Sequence, residues 1–179
     1  MRKIKMYIAM SLNGKIAKSD GSVHWLESIP NPDKTDHGYY EFYKTIDTTI
    51  QGNNTYEQVM SWDIDFPYSD KKNVVLTRNK KVKNTEHVQF ISENHIDFIK
   101  KLKQQKGDDI WLIGGGQINT MMFNENLIDE ILIFVMPIVI SDGVELFEGI
   151  PNETRLKLIE TKEYTTGAVK LRYQIEEVE

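Results

Sequence analysis

Apolar and polar positions along this chain change their period repeatedly. Ile4, Met6, Ile8 and Met10 alternate with Lys5, Tyr7 and Ala9, the two-residue repeat of a strand, here one expected to be buried on both faces toward its end. Asn13-Gly14 is a turn signal, Ile16-Ala17 a short apolar step, and Ser19-Asp20-Gly21-Ser22 a loop. Ile29-Pro30-Asn31-Pro32-Asp33 breaks the chain again. Asp36 stands where a cap would open a helix through Tyr39, Tyr40, Phe42 and Tyr43. Thr48-Thr49-Ile50-Gln51 reads as a strand ending at Gly52, and residues 55–60 as a short helix. Asn73-Val74-Val75-Leu76-Thr77 and residues 88–91 are strands rich in β-branched side chains. Residues 96–105 place Ile96, Phe98, Ile99 and Leu102 at helical spacing. The wholly apolar strand Ile110-Trp111-Leu112-Ile113 runs into Gly114-Gly115-Gly116, and a helix follows over 117–123. Residues 130–140 predict one long strand, and 155–161 with 169–175 a hairpin turning at Thr166-Gly167.

Strands alternate with helices up to about residue 135, and strands dominate the rest. The expected fold is α/β with three layers: a mostly parallel twisted sheet, helices on both faces and a C-terminal antiparallel hairpin at one edge. With 179 residues, 40% hydrophobic and 27% charged, the chain reads as one domain over 1–179 with a sizeable core.

Charge and composition narrow the function. The formal net charge is −5, and the tightest basic cluster, Lys80, Lys81 and Lys83 with Lys71 and Lys72 nearby, lacks interleaved aromatics. That argues against nucleic acid and for a solvated face. There is no cysteine, which removes disulfides, thiolate metal sites and a cysteine nucleophile. His24, His37, His87 and His95 have no metal-ligand spacing, so no metal is expected and each histidine is assigned to the surface or to local hydrogen bonds. No serine stands in Gly-x-Ser-x-Gly. The first ten residues do not resemble a signal peptide, and the apolar run over 131–140 is far short of the ~20 residues of a membrane span. The expected compartment is the cytoplasm, with no membrane partner.

Residues 110–122 are the strongest chemical feature. Free amides at a helix N-terminus attract phosphate, and glycines allow a ligand close to the backbone; the alternative is a plain strand-to-helix turn. The pattern is neither a dinucleotide fingerprint nor a P-loop, since it lacks the third spaced glycine and the Lys-Ser/Thr pair. Gly52-Asn53-Asn54-Thr55 forms a second strand-to-helix junction, and Leu76-Thr77-Arg78 a third strand end. Three such junctions suit a ligand with several phosphates lying beyond the carboxyl ends of the strands. Asp36 is either a site carboxylate or a cap, and Trp25 either a stacking lid or a core anchor.

In their order, Ser11-Leu12-Asn13-Gly14-Lys15-Ile16-Ala17, Gly52-Asn53-Asn54-Thr55-Tyr56-Glu57, Leu76-Thr77-Arg78, Trp111-Leu112-Ile113-Gly114-Gly115-Gly116, Leu127-Ile128-Asp129-Glu130 and Met136-Pro137 resemble the dihydrofolate-reductase-like superfamily. The likeness spans residues 5–176 and is nearest to stand-alone proteins related to the C-terminal reductase domain of riboflavin-biosynthesis deaminase/reductases. It implies NADPH as hydride donor. Ile113, Gly114, Gly115, Gly116, Gln117 and Ile118 would cradle the pyrophosphate, with Gly52, Asn53, Asn54 and Thr55 on the other side. Leu76, Thr77 and Arg78 would meet the 2′-phosphate, and Ala9, Ile16 and Ala17 the nicotinamide. Asn119 takes the place of a tyrosine beside the nicotinamide. Asp36 lies as far before Gly52 as the folate enzymes' acid lies before the matching glycine, which marks it as the catalytic acid, with Trp25, Asp36 and Asn119 on the substrate.

The resemblance implies an NADPH-dependent reductase of a small heterocycle, with 5-amino-6-(5-phosphoribosylamino)uracil as candidate and dihydrofolate or another pteridine as runner-up. A third reading is a nucleotide-binding protein on the same scaffold without efficient catalysis. It is motivated by Asn53, where most relatives carry arginine. Another departure is Tyr39-Tyr40-Glu41-Phe42-Tyr43, where the riboflavin reductases are arginine-rich. Relatives of that type pair as homodimers, and the apolar run over 131–140 is either an interface or a buried central strand.

Overall fold

A computed structural model describes residues 1–176. In chain order its elements are β1 (Ile4–Ser11), β2 (Lys15–Ala17), α1 (Tyr39–Tyr43), β3 (Ile46–Gly52), α2 (Asn53–Met60), β4 (Lys72–Leu76), β5 (Val88–Ile91) and α3 (His95–Gln104). After these come β6 (Asp109–Gly114), α4 (Gly116–Asn124), β7 (Glu130–Met136), β8 (Val144–Glu145), β9 (Leu156–Glu163) and β10 (Val169–Ile175). A 3-10 turn at His24–Leu26 lies between β2 and α1.

Eight strands form one sheet in the order β5-β4-β3-β6-β1-β7-β10-β9. Neighbours from β5 through β7 are parallel, β10 runs antiparallel to β7, and β9 antiparallel to β10. This is the mostly parallel sheet with a C-terminal hairpin that the alternation of periods predicts. Because side chains alternate across a strand, Ile4, Met6, Ile50, Val74, Leu76, Ile110 and Leu112 share one core, covered by Ile99 and Leu102 of α3 and Met122 and Phe123 of α4. Trp111 belongs to a second core with Phe42 of α1, Val59 of α2 and Tyr68. A third gathers Leu132, Phe134 and Met136 of β7 around Trp25, Ile140 and Ala168.

Three local expectations change. β1 is buried at its start, where Ile4 and Met6 are inaccessible, but Tyr7, Ile8, Ala9 and Met10 are only half-buried. The strand's carboxyl half opens toward the edge that carries the candidate site. β7 stops at Met136 rather than running to 140, because Pro137 has no N–H to continue the ladder. Beyond it the chain folds across the end of β1: Ile138 accepts from the Leu12 amide at 2.8 Å, and the Asn13 carboxamide pairs with both backbone groups of Ile140 at 2.8 and 3.1 Å. The segment over 131–136 is thus a strand flanked by β1 and β10, and Ile140 packs with Trp25, while Val139 is exposed. Two-residue β8, which pairs with β2, is too short to leave a period in the sequence. Among the described residues no helix is long and apolar enough to cross a membrane.

Candidate functional site

Parallel strands bring all their carboxyl ends to one edge. Gly52 of β3 lies opposite Leu76 of β4, and Gln51 lies opposite Gly114 of β6, so the three junctions singled out in the sequence become neighbours. β3 passes directly into α2 at Asn53, and β6 into α4 at Gly116 after a single residue. The first amides of each helix have no intrahelical acceptor and form its positive end. Contacts between junctions are specific. The Thr55 hydroxyl lies 3.5 Å from where a Cβ on Gly115 would stand, and Ile118 Cγ1 2.9 Å from a Cβ on Gly52. Arg78, just past β4, donates from Nη2 to Gln117 Oε1 on α4 at 3.1 Å. Gly52, Thr55, Arg78, Gly115, Gln117 and Ile118 therefore frame one site.

The three glycines have different reasons to be there. Gly114 takes φ +117, a conformation that side chains rarely adopt, and its bond to Gly115 is cis. A Cβ on Gly116 would stand 2.4 Å from the Glu145 carbonyl oxygen and 2.7 Å from Glu148 Cγ, so that glycine is required by the chain's own packing. The open side is at Gly115, facing Thr55. Asn119 is fully buried, and its Oδ1, without a partner among the described residues, lies 3.4 Å from where a Cβ on Gly114 would stand. Free first-turn amides, a hydroxyl and an exposed guanidinium fit a pyrophosphate with an additional phosphate.

The other expected cofactor residues separate. Ala9 and Ile113 are half-buried and pack around Tyr7 on the sheet face away from α3 and α4, whereas Ile16 packs against the opposite core. Ala17 is half-buried at the end of β2. Leu76 is in the core. Thr77 is buried, its amide donating to Ile91 and its hydroxyl accepting from the Asn79 amide at 3.1 Å; Arg78 alone of that junction is exposed. Asn53 donates to Glu57 Oε1 at 2.7 Å along its own helix, and Asn54 faces solvent.

Three expected substrate residues are engaged elsewhere. Trp25 is 4% exposed and anchors the third core, so it is no lid. Asn119 donates from Nδ2 to the Leu146 carbonyl at 2.9 Å, fastening α4 to the segment after β8. Asp36 is exposed, and both its oxygens accept backbone amides at 2.9 Å, Oδ1 from Gly38 and Oδ2 from Tyr40. Those bonds, Tyr40 first and Gly38 second, hold its carboxyl below the usual range. Asp36 thus holds the start of α1 as a carboxylate with both oxygens on backbone amides, which corrects its expected role as an acid.

The residue after it, His37, which the sequence assigns to the surface or to local hydrogen bonds, is held by partners far along the chain. His37 has φ +54. Its carbonyl accepts the hydroxyls of Tyr164 at 2.9 Å and Tyr7 at 3.2 Å, and its Nε2 lies 2.9 Å from Thr166 Oγ1. The ring is 4.8 Å from that of Tyr164 and edge-on to Phe134 at 6.2 Å. Phe134 is the strand partner of Ala9. No local pattern signals this cluster, since Thr166 is 129 positions away.

These features have counterparts in known proteins. YwjB of Bacillus subtilis (strain 168), an uncharacterized protein, is 44% identical over 172 residues, covering 96% of this chain and 97% of that one. The crystal structure of a provisionally assigned riboflavin biosynthesis protein from Shewanella sp. PV-4 superposes with TM-score 0.85 at 30% identity, covering 99% of this chain and 100% of that one. Dihydrofolate reductase from Enterococcus faecalis, complexed with NADP(H) and RAB-propyl, shares the fold at TM-score 0.70 and 15% identity, over 98% of this chain and 97% of that one. The model of the RibD C-terminal domain matches residues 2–170, and with that match over nearly the whole length, the chain belongs to the RibD C-terminal domain family.

Proposed function

We propose that the chain is an NADPH-dependent reductase of a small heterocyclic substrate, with 5-amino-6-(5-phosphoribosylamino)uracil as the candidate. The observation that carries this reading is the bridge from Arg78 to Gln117 beside the approach of Thr55 to Gly115, which brings donors from three strand ends to one place. The first-turn amides of α2 and α4 with the Thr55 hydroxyl would hold the pyrophosphate, and Arg78 the 2′-phosphate. The family and the NADP(H) complex of the folate reductase neighbour support a nicotinamide cofactor. When bound, it supplies a hydride. The chain contributes position and a dry surface: Ala9 and Ile113 offer apolar, half-buried backing on one sheet face, which keeps water from competing for the hydride.

The pyrimidine ranks ahead of a pteridine because the two features that favoured folate, Asp36 and Trp25, are committed to a cap and a core. The test is fluorescence titration and thermal shift with NADPH, NADH as control, followed by loss of NADPH absorbance with the pyrimidine. Selective NADPH binding and turnover are expected. Binding without turnover on either heterocycle favours the non-catalytic scaffold, and no binding to a folded sample overturns the reading.

A further inference from the structure

We propose that His37 delivers the proton that accompanies hydride transfer, a role that Asp36 cannot fill. The inference rests on the reductase reading above. Asp36 has both oxygens on backbone amides and stays ionised at neutral pH, so the site needs another donor. His37 sits next to it and is positioned from several directions. Its left-handed backbone is uncommon outside glycine and persists where surroundings over-determine it. Here the Tyr7 and Tyr164 hydroxyls both hold its carbonyl. Thr166 engages Nε2, while Tyr164 and Phe134 fix the plane of the ring. One ring nitrogen is thereby tied to an orienting hydroxyl, and Nδ1 has no partner among the described residues, the arrangement that sets a histidine's tautomer for proton transfer. Tyr7 and Ala9 lie on one face of β1, and Ala9 pairs with Phe134. The imidazole thus borders the same surface as the residues that back the hydride donor.

A C=N or C=O bond of the substrate opens. Its carbon forms a C–H bond with the hydride given up by a reduced nicotinamide, which is oxidised. The electron pair moves to the nitrogen or oxygen, which takes the proton from His37, and the imidazole recovers a proton from water.

Groups facing His37 are Asp36 on its own loop, Tyr7 of β1, and Tyr164 of the hairpin, with Lys162 Nζ 4.9 Å over the Tyr164 ring and Glu160 acting on that phenol. Burial lowers the imidazole's pKa and Asp36 partly opposes it. The imidazolium fraction, and with it kcat/KM, falls as pH rises through a value below the ordinary histidine one.

The experiment is the pH profile of NADPH-dependent reduction of 5-amino-6-(5-phosphoribosylamino)uracil by the wild-type chain, His37→Asn, Asp36→Asn and Thr166→Val. Asparagine tolerates the left-handed backbone. His37→Asn is expected to lose roughly 100-fold in kcat/KM together with the falling limb. Asp36→Asn keeps the limb, and Thr166→Val shifts it. A His37→Asn chain that keeps the limb, or loses less than about threefold, overturns the proposal. Independently of turnover, the His37 imidazole NMR signal, assigned by its absence in His37→Asn, is expected to move when the pyrimidine is added with NADP+. Binding that leaves this signal unmoved overturns the His37 assignment alone. Failure of the wild-type chain to bind NADPH in thermal shift overturns the reductase reading and this step with it.

Discussion

The two ends of the sheet solve opposite problems. At the amino edge, charge is matched inside the protein. Arg2, 6% exposed, reaches Asp47, the Thr48 hydroxyl and the Asp108 carbonyl. Buried Glu130 is shared by Lys3 and Arg172, each at 2.7 Å, while Lys5 meets Asp109 at 2.7 Å and Lys103 meets Asp129 at 2.6 Å. These pairs join the starts of β1, β3, β6, β7 and the end of α3, and a buried charge left without such partners is costly. At the carboxyl edge the junctions bring together the starts of α2 and α4, the Thr55 hydroxyl, and Arg78 with a neutral partner in Gln117. One edge holds the strands together, and the other is the edge where the proposed cofactor site lies. The contrast separates stability from binding, and single substitutions should separate them too.

Gly116→Ala breaks the contrast most strongly, because this glycine belongs to the binding edge yet serves packing. A methyl 2.4 Å from the Glu145 carbonyl oxygen forces backbone to move and should cost about 3 kcal/mol, read as a lower urea midpoint with no ligand present. Glu130→Ala should cost about 2 kcal/mol, less than the 3–5 typical of a broken buried pair, since Lys3 and Arg172 can turn to water; NADPH affinity should not change. The same carboxylate gives a pH signature. Burial would raise its pKa, but the hydrogen bonds from Lys3 and Arg172 outweigh that and lower it. With the folded value below the unfolded one, its stabilisation is complete above the unfolded carboxylate pKa and is lost as pH falls through the folded one. Urea titrations of wild type should therefore weaken on acidification more steeply than those of Glu130→Ala.

Arg78→Ala sharpens the comparison from the other side. The residue is exposed and, among the described residues, its side chain bonds only to Gln117, so the urea midpoint should stay put. NADPH should bind about tenfold more weakly, as expected for one charge-assisted contact, and NADH should hardly change; equal loss for both cofactors would show that Arg78 does not read the 2′-phosphate. Asp36→Ala should give the smallest effect, about 1 kcal/mol for a lost helix cap, with NADPH affinity intact by titration.

Much of this architecture is legible in residue order. β1, β3, β4, β5, β6, the helices and the C-terminal hairpin all follow from periods of two or 3.6 and from turn residues, and the Gly114-Gly115-Gly116 junction and Arg78 stand out for the same local reasons. The apolar run over 131–140 suggests a longer β7, but Pro137 ends the ladder at Met136, and β8 from 144 to 145 has no run to detect. The site was less legible. Asp36 looked like an acid because its position and chemistry allow one, but two amides within four residues of it claim both oxygens.

Backbone geometry imposes its periods locally, so strands, helices and the glycine-rich junction can be read from neighbours in the chain. Which polar groups stay free for chemistry depends on partners brought from far away: Leu146 for Asn119, Gln117 for Arg78, and Thr166 with Tyr7 and Tyr164 for His37. A hydrogen bond formed across the fold withdraws one group from the site and orients another, and only the folded arrangement of strands decides which.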